Sequence, residues 1–437
     1  MVVDQLNLEK LGIPTITIAT EPFANLAKET ARSEGIAELC LVAVPHPMGG
    51  IPRELVVAKA DTAFPVILSY LIAWQPRELA EEKKKVYPAG RFEFAGSIEE
   101  INRLFFDRRW SAGLPIIPPT ANLVARMVEK ANMRPDEILG AVPPQGGALT
   151  VELAAVHAVM AGCRPDYMPL LIAALQALLV PEVNWRGSLS TTGTTQTLII
   201  VSGPIVKKLG IGYLQGAAGK GYHPNVSIGY AINLIAYNVG GSRSPDIDRS
   251  TLASPGDFVC WLFGENEEKL PQGWEPFHVD GGYRRDESVV TVMASYPPIE
   301  NIDHGSSTPQ EHIRWWSHLV NPLNNMGGPV LPILLEQSPI IALGPEHAQL
   351  FAQAGWTKDD FKKAFWEGTR LPLSVWPLSY QNQKNLPNIL GPLRPESLIP
   401  ITTKPEQCRI VIAGGEGKQS HYFPPFPGAF LASKLIQ

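Results

Sequence analysis

The sequence is poor in cysteine, with only Cys40, Cys163, Cys260 and Cys408 among its 437 residues. These residues lie far apart and form no Cys-x-x-Cys pair, which argues against a disulfide framework and against a cysteine-based zinc site. We therefore predict four unpaired thiols, a reducing cytoplasmic location and no bound metal.

An excess of positive charge and a long apolar run are also lacking. The formal net charge is −5, so the chain is not expected to bind nucleic acid. Asp4, Glu9 and Lys10 in the first turns exclude a secretory signal segment. The longest apolar run, 168–180, contains Gln176 and is too short to span a bilayer. We expect neither nucleic acid nor a membrane as a partner.

The composition is typical of a globular protein, with 45% hydrophobic and 18% charged residues, and 437 residues suffice for two or three folded units. Charged residues concentrate at 76–96, which favours a linker there. We predict a small domain over 1–80, a linker over 81–96 and a large domain over 97–437, with room for two subdomains.

Apolar runs alternate with helical stretches from the start of the chain. Strands are predicted at 14–20 and 39–45, and helices at 22–34 and 58–75. Buried strands joined by helices are typical of parallel sheets. The predicted fold class is α/β, with a small parallel-sheet N-terminal domain and a larger α/β domain.

Helix starts in the large domain are marked by capping patterns, at Ser97 with Glu100 and at Thr308 with Glu311. Further helices are predicted at 151–161, 168–179, 227–239 and 346–354, and strands at 197–202, 289–294, 330–335, 339–343 and 409–413.

The strongest local signal is the glycine-rich loop 216–225, directly before the helix predicted at Ser227. Glycines let backbone amides approach a ligand, and a helix start offers free N–H groups. The loop is a candidate pocket for a carboxylate or phosphate; a flexible surface loop capped by Asn225 explains the pattern equally well. Its candidate residues are Gly219, Lys220, Gly221 and Asn225 for substrate binding and His223 for catalysis.

A second cluster of polar groups comes just before the strand at 197–202. The hydroxyls of Thr191, Thr192, Thr194 and Thr195 are candidates for orienting a polar substrate. A threonine-rich turn is the favoured alternative. The cluster gains interest only if it lies close to the glycine-rich loop.

The other catalytic candidates are Glu21, His46, Cys163 and Glu265. Glu21 and His46 follow the two N-terminal strands, and ligands bind beyond the carboxyl ends of parallel strands. Cys163 could pair with His157, but the two lie about 120° apart around a helix, which favours a structural cysteine. Glu265 is a candidate general base, whereas Glu267 and Glu268 fit a solvated face.

Several stretches share the pattern of one family: LEKLGIPTITIATEPF at 8–23, VAVPHPMGG at 42–50, and the segments 111–120, 142–175, 263–268, 343–367 and 411–418. Together they resemble the UGSC-motif (seleno)protein family over nearly the whole chain. The resemblance implies thiol or redox chemistry, performed by a Sec/Cys-Gly-Ser-Cys motif on a first strand ahead of the segment matching Asp4 to Gly12.

This chain begins beyond that motif, so no family cysteine maps onto a position here. Its opening segment, Gln5 to Leu11, is helix-like, whereas a parallel unit normally opens with a strand. We therefore predict an open sheet edge beside 14–20, filled by a second copy or a heteromeric partner at residues 1–50. A start site assigned too late and loss of the thiol chemistry are alternatives.

Three functions fit these observations. The leading one is an enzyme or enzyme subunit acting on a small anionic organic substrate, with the thiol or redox chemistry that the resemblance implies. The second is a lyase or hydrolase using acid–base residues such as His223 and Glu265. The third is a non-catalytic subunit of a heteromeric enzyme. The cofactor is unknown from the sequence.

Overall fold

The computed structural model describes residues 2–36, 38–73, 87–324, 335–377, 381 and 386–437. Helices and small sheets alternate along the chain, which confirms the predicted α/β class. The predicted domain limits stay a prediction, and part of the predicted linker and of the strand at 330–335 lies outside the described residues.

The N-terminal unit contains a parallel two-stranded sheet, as predicted. Its strands end at the same level, because Thr20 pairs with Val44. Three helices accompany the sheet, and the order is α1 (Val2–Lys10), β1 (Thr17–Thr20), α2 (Ala24–Ser33), β2 (Leu41–Val44) and α3 (Arg53–Ala73).

Within the described residues, β1 pairs with β2 alone. The α1 helix packs beside the sheet, where the Gln5 amide donates to the carbonyl oxygens of Thr15 (3.3 Å) and Cys40 (3.4 Å). Ile18 on β1 remains 46% exposed. Occupation of this edge by a second copy or another chain stays a prediction.

The α3 helix is apolar and largely exposed, with Ala63 as its buried residue. Its charged side chains all precede Thr62, so the second half of the helix, 62–73, carries no charge. Among the described helices, α3 is long and apolar enough to cross a membrane. The helical segments 165–178 and 181–188, which are joined at a bend, are long and apolar enough only when taken together.

The remaining helices belong to the larger part of the chain. They are α4 (Ile98–Asp107), α5 (Ala121–Ala131), α6 (Val151–Met160), α7 (Met168–Leu178), α8 (Trp185–Ser188), α9 (Ile205–Leu209), α10 (His223–Asn238), α11 (Gly256–Val259), α12 (Phe277–Asp280), α13 (Pro309–Leu319), α14 (Pro345–Gln353), α15 (Lys358–Gly368) and α16 (Leu386–Leu390). The predicted capping boxes at Ser97 and Thr308 are both present.

The strands of the larger part form two four-stranded mixed sheets, ordered β14-β7-β5-β6 and β12-β9-β13-β8, and two short pairs. They are β3 (Ile138–Val142), β4 (Gly147–Thr150), β5 (Gln196–Ser202), β6 (Trp261–Gly264), β7 (Val289–Ser295), β8 (Ile299–Ile302), β9 (Ile340–Leu343), β10 (Leu371–Pro372), β11 (Leu398–Ile399), β12 (Arg409–Ile412), β13 (Gln419–Phe423) and β14 (Ala432–Leu435).

The main core lies where α6, α7 and α10 pack against the first of these sheets. Residues of β5 and β7 are buried along the full length of both strands. The helices are apolar on nearly all sides, as expected for helices that are buried. This core holds the carboxyl ends of β5 and β6 in place.

Candidate active site

The candidate site lies where two parallel strands end. β5 and β6 pair in parallel, with Val201 opposite Gly264, so Ser202 and Glu265 meet at one edge. The Ser202 hydroxyl donates to the Glu265 carboxylate at 2.7 Å. Open α/β sheets bind their ligands beyond the carboxyl ends of the strands. Glu265, a catalytic candidate from the sequence, therefore lies where a ligand is expected.

Two glycines allow the chain to close around this edge. A Cβ atom on Gly264 would lie 2.6 Å from Val206, so glycine lets α9 pack over the end of β6. Gly203 has a φ of +90°, and its Cβ would lie 2.1 Å from the Glu287 carbonyl oxygen. Larger residues at these positions would push the surrounding backbone apart.

The Glu265 carboxylate is buried and accepts hydrogen bonds from neutral donors. The backbone N–H of Phe277 donates to Glu265 Oε1 at 2.8 Å, and Glu265 is 2% exposed. Burial raises the pKa of Glu265 to about 7, although the hydrogen bonds from Ser202 and Phe277 oppose the rise. Among the described residues, no lysine or arginine donates to this carboxylate.

Glu267 and His278 complete the arrangement. The Gly203 N–H donates to Glu267 Oε1 at 2.6 Å, and His278 Nδ1 lies 3.9 Å from the same oxygen. One ligand atom from each of Glu265, Glu267 and His278 lies within 4.8 Å of the other two. We call these three residues the carboxylate–histidine cluster; its donor set suits a divalent metal ion.

A buried lysine holds the segment that carries His278. The Lys358 ammonium, at the start of α15, donates to the Glu275 carbonyl oxygen and to the Asp280 carboxylate, both at 2.5 Å. These contacts lie on either side of His278 in the chain. The lysine charge is therefore engaged in fixing α12.

The glycine-rich loop lies at the same edge of the sheet, because it follows β5 and α9. The helix after it begins at His223, one turn earlier than predicted, with Pro224 in its first turn. Gly219, Lys220 and Gly221 are exposed. His223 is also exposed, and its Nδ1 lies 3.2 Å from the Tyr167 hydroxyl.

Asn225 anchors this loop. Its Oδ1 accepts from the Gly212 N–H, and its amide donates to the carbonyl oxygens of Ala217 and Leu262. The side chain is 3% exposed, and its described bonds all go to backbone groups. The contacts support a role in holding the loop against β6.

The threonine-rich turn lies at the opposite end of β5, because it precedes the first residue of the strand while the glycine-rich loop follows the last. Seven residues of strand, about 20 Å, separate the two. The idea that both line one pocket is therefore corrected. Thr195 is buried and donates to the Ser188 carbonyl oxygen, and Thr191 accepts from Gly193 within the turn. Thr192 and Thr194 belong to the same turn.

Glu21 and His46 follow β1 and β2 at one edge of the N-terminal sheet, and both are exposed. The Thr20 hydroxyl lies 3.1 Å from His46 Nδ1. The Arg249 guanidinium lies 5.8 Å from the Phe23 ring, and the next residue, Ser250, donates to the Gly193 carbonyl oxygen. This edge thus neighbours the threonine-rich turn.

All four cysteines are buried and free. Burial raises the pKa of the Cys163 thiol to about 12 and that of Cys408 to about 12, and it also raises the pKa of Cys40 and Cys260. A thiol must ionise to act as a nucleophile. The positions of these cysteines therefore do not favour thiolate chemistry at neutral pH.

A large cavity of about 1280 Å³ lies elsewhere, between segment 89–98 and helices α4 to α6. Aromatic side chains such as Phe92, Phe105 and Trp110 line it. Its Glu152 carboxylate is bonded to Arg91 and to the Ala89 N–H. The cavity can bind an apolar group, but the Glu152 carboxylate is already paired.

A second group of buried polar residues links β8, α13, α14 and β13. His312 Nδ1 lies 2.7 Å from the Asp303 carboxylate, and His347 Nδ1 lies 2.7 Å from the Ser420 hydroxyl. The two imidazole rings are 4.2 Å apart. These side chains are bonded mainly to one another, so the group ties the second sheet to its helices.

Because some histidines are buried and neutral, we predict that the free energy of unfolding falls in acid. Burial lowers the pKa of His312 to about 4, with His347 adding to the effect and Asp303 opposing it; burial also lowers that of His157 to about 4. Between pH 6.5 and 4 the unfolded chain binds more protons, so the free energy of unfolding falls as pH decreases. Each of these two histidines contributes about 3 kcal/mol to the free energy of unfolding at neutral pH, and this contribution is lost as the pH falls to 4.

Urea unfolding at pH 7 and pH 4.5 measures this loss. His312→Asn should reduce the difference between the two values, because the asparagine does not titrate. Equal free energies of unfolding at the two pH values would contradict the prediction.

The sequence analysis did not identify His278 or Ser202, and it assigned Glu267 to a solvated face. Glu267 and His278 are separated by a loop of irregular sequence, so no periodicity brings them together. The apolar strand ending at Gly264 is the one signal that could have placed the neighbouring glutamates at a sheet edge.

Comparison with known protein families finds a match to the N-terminal unit. Residues 1–73, which end with α3, fit the family model of the UGSC family. This segment of the chain is therefore similar to the UGSC family. The UGSC match contains Glu21 and His46, whereas the carboxylate–histidine cluster lies outside it. No curated protein and no solved structure matches the chain.

Proposed function

We propose that this chain is an enzyme that acts on a small anionic organic molecule by acid–base chemistry, as a lyase or hydrolase. The observation that carries the proposal is the meeting of Glu265, Glu267 and His278 at the carboxyl ends of β5 and β6. Carboxylates and imidazoles are the groups that most often transfer protons in enzymes.

The surroundings support an anionic substrate. The glycine-rich loop with Lys220 lies at the same edge, directly before a helix of 16 residues. Backbone N–H groups at the start of a helix and a lysine ammonium both attract carboxylates and phosphates. The proposal therefore combines a proton-transferring group with a binding loop that follows the neighbouring strand.

Thiol chemistry by the cysteines of this chain has less support, because all four thiols are buried and their pKa values are raised. The redox chemistry associated with the family resemblance would require a reactive thiol from another chain or segment. The choice between the two chemistries can be made by experiment.

The experiment is a screen of the full chain against small carboxylates and phosphate esters, with substrate loss followed by mass spectrometry. We expect turnover of at least one compound, and we expect Cys163→Ala and Cys260→Ala to retain it. Loss of turnover in a folded cysteine variant would favour the thiol alternative. Failure of the full chain to convert any compound would favour a non-catalytic subunit.

A further inference from the structure

His278 is buried without a hydrogen-bond partner. The residue is 1% exposed, and both Nδ1 and Nε2 are shielded from solvent with no donor or acceptor in reach among the described residues. A buried polar group without a partner is unfavourable and rare. The imidazole therefore needs a partner from outside the described residues.

Among the described residues, no lysine or arginine side chain donates a hydrogen bond to either of the two carboxylates beside it. Glu265 accepts from the Ser202 hydroxyl and the Phe277 N–H, and Glu267 accepts from the Gly203 N–H. The Lys358 ammonium is engaged with Asp280. Buried carboxylates are usually paired with a positive charge or coordinate a metal.

We infer that Glu265, Glu267 and His278 bind one divalent transition-metal cation. The inference deepens the proposed function. It rests on that function because the cation would lie where the substrate reacts. It revises the expectation of no metal, which rested on the absence of cysteine pairs in the sequence.

The distances suit such a site after a small closure. The three ligand atoms lie within 4.8 Å of one another, whereas ligands of one zinc ion are separated by about 3.3 Å. The hydrogen bonds to the two carboxylates leave further lone pairs for a metal and orient the carboxylates. Inward movement of about 1 Å by each side chain is sufficient.

The ligand types indicate which cations fit. One imidazole nitrogen and two carboxylate oxygens suit Zn²⁺ or Mn²⁺, whereas Ca²⁺ and Mg²⁺ prefer oxygen ligands alone. Three protein ligands leave a coordination position open, as in catalytic zinc sites. An oxygen atom of an anionic substrate, or a water molecule, can occupy that position.

Isothermal titration calorimetry of the chelator-treated full chain with ZnCl₂ and MnCl₂ tests the inference. We expect one saturable equivalent of at least one of the two cations, and weaker binding of CaCl₂ under the same conditions. Absence of saturable binding of both Zn²⁺ and Mn²⁺ would overturn the inference.

Variants locate the bound cation. Glu267→Gln keeps the shape of the side chain and should weaken binding at least about tenfold. His278→Ala should have a similar or larger effect, and Glu267→Gln keeps the test valid if the alanine variant does not fold. Glu268→Gln is the matched control, because Glu268 lies next in the chain but pairs with Lys207. Equal affinity in wild type and Glu267→Gln would place the cation elsewhere and overturn the inference.

The two proposals can fail separately. Turnover by the full chain, together with no saturable binding of Zn²⁺ or Mn²⁺, would overturn the cation and leave the proposed function in place. Stoichiometric Zn²⁺ binding at the cluster, without turnover of any screened compound by the loaded chain, would support the cation and contradict the proposed function.

Discussion

We expect turnover to fall by about 10²–10⁴-fold in a Glu265→Gln chain that retains its fold. Glutamine has nearly the same volume as glutamate, and its oxygen can still accept the hydrogen bond from the Phe277 N–H. The negative charge and the ability to exchange a proton are both lost. Because Glu265 lies at the carboxyl end of β6, this loss affects the proposed reaction centre directly.

Steady-state kinetics on a substrate found in the screen measure the effect, with circular dichroism and thermal unfolding as tests of the fold. Glu268→Gln is the control, since its carboxylate pairs with Lys207 and lies outside the carboxylate–histidine cluster. The control should keep kcat within about twofold of wild type. A folded Glu265→Gln chain with unchanged kcat would contradict the assignment of the reaction centre.

Gly229→Ala is expected to lower the free energy of unfolding by about 3 kcal/mol. Gly229 lies in α10, and a Cβ atom there would be 1.7 Å from the Val259 carbonyl oxygen at the end of α11. That oxygen belongs to the backbone, so it cannot move aside as a flexible side chain would. The two helices must separate, and the buried contacts around Cys260 are weakened.

Urea unfolding at neutral pH measures this change. Gly305→Ala is the matched control, because a Cβ atom at Gly305 meets nothing within 4 Å. We expect the control to change the free energy of unfolding by less than about 0.5 kcal/mol. Similar values for the two variants would show that α10 and α11 are not packed as closely as described.

Close packing of α10 also links stability to the site. The same helix carries Asn225, which bonds the 212–217 segment to the carbonyl oxygen of Leu262 on β6. Displacement of α10 would therefore move the glycine-rich loop relative to the carboxylate–histidine cluster. Partial loss of activity in a folded Gly229→Ala chain is the consequence to look for.

Local patterns in the sequence determine many of the elements. The β-branched run before Glu21 and the apolar run before Pro45 form β1 and β2, and their parallel pairing follows from the helix between them. Capping residues mark the start of α4 and α13 because their hydrogen bonds involve residues only three positions apart. Such features depend on neighbours in the chain, so the sequence alone predicts them.

The meeting of distant residues depended on the tertiary structure. The sequence identifies the glycine-rich loop and the threonine-rich turn as polar segments near one strand. The strand between them places them at opposite ends of β5, but the pairing of β5 with β6 does not follow from the sequence. The same pairing brings Glu265 to Ser202, 63 positions earlier in the chain.

What the sequence by itself determined is the α/β class, most element positions and the candidacy of Glu265. Only the tertiary structure decided that Glu267 and His278 join Glu265, and that the four thiols are buried. The physical reason is that strands and caps arise from contacts between neighbours in the chain. Burial and the partners of a side chain arise from segments that meet only when the core is packed.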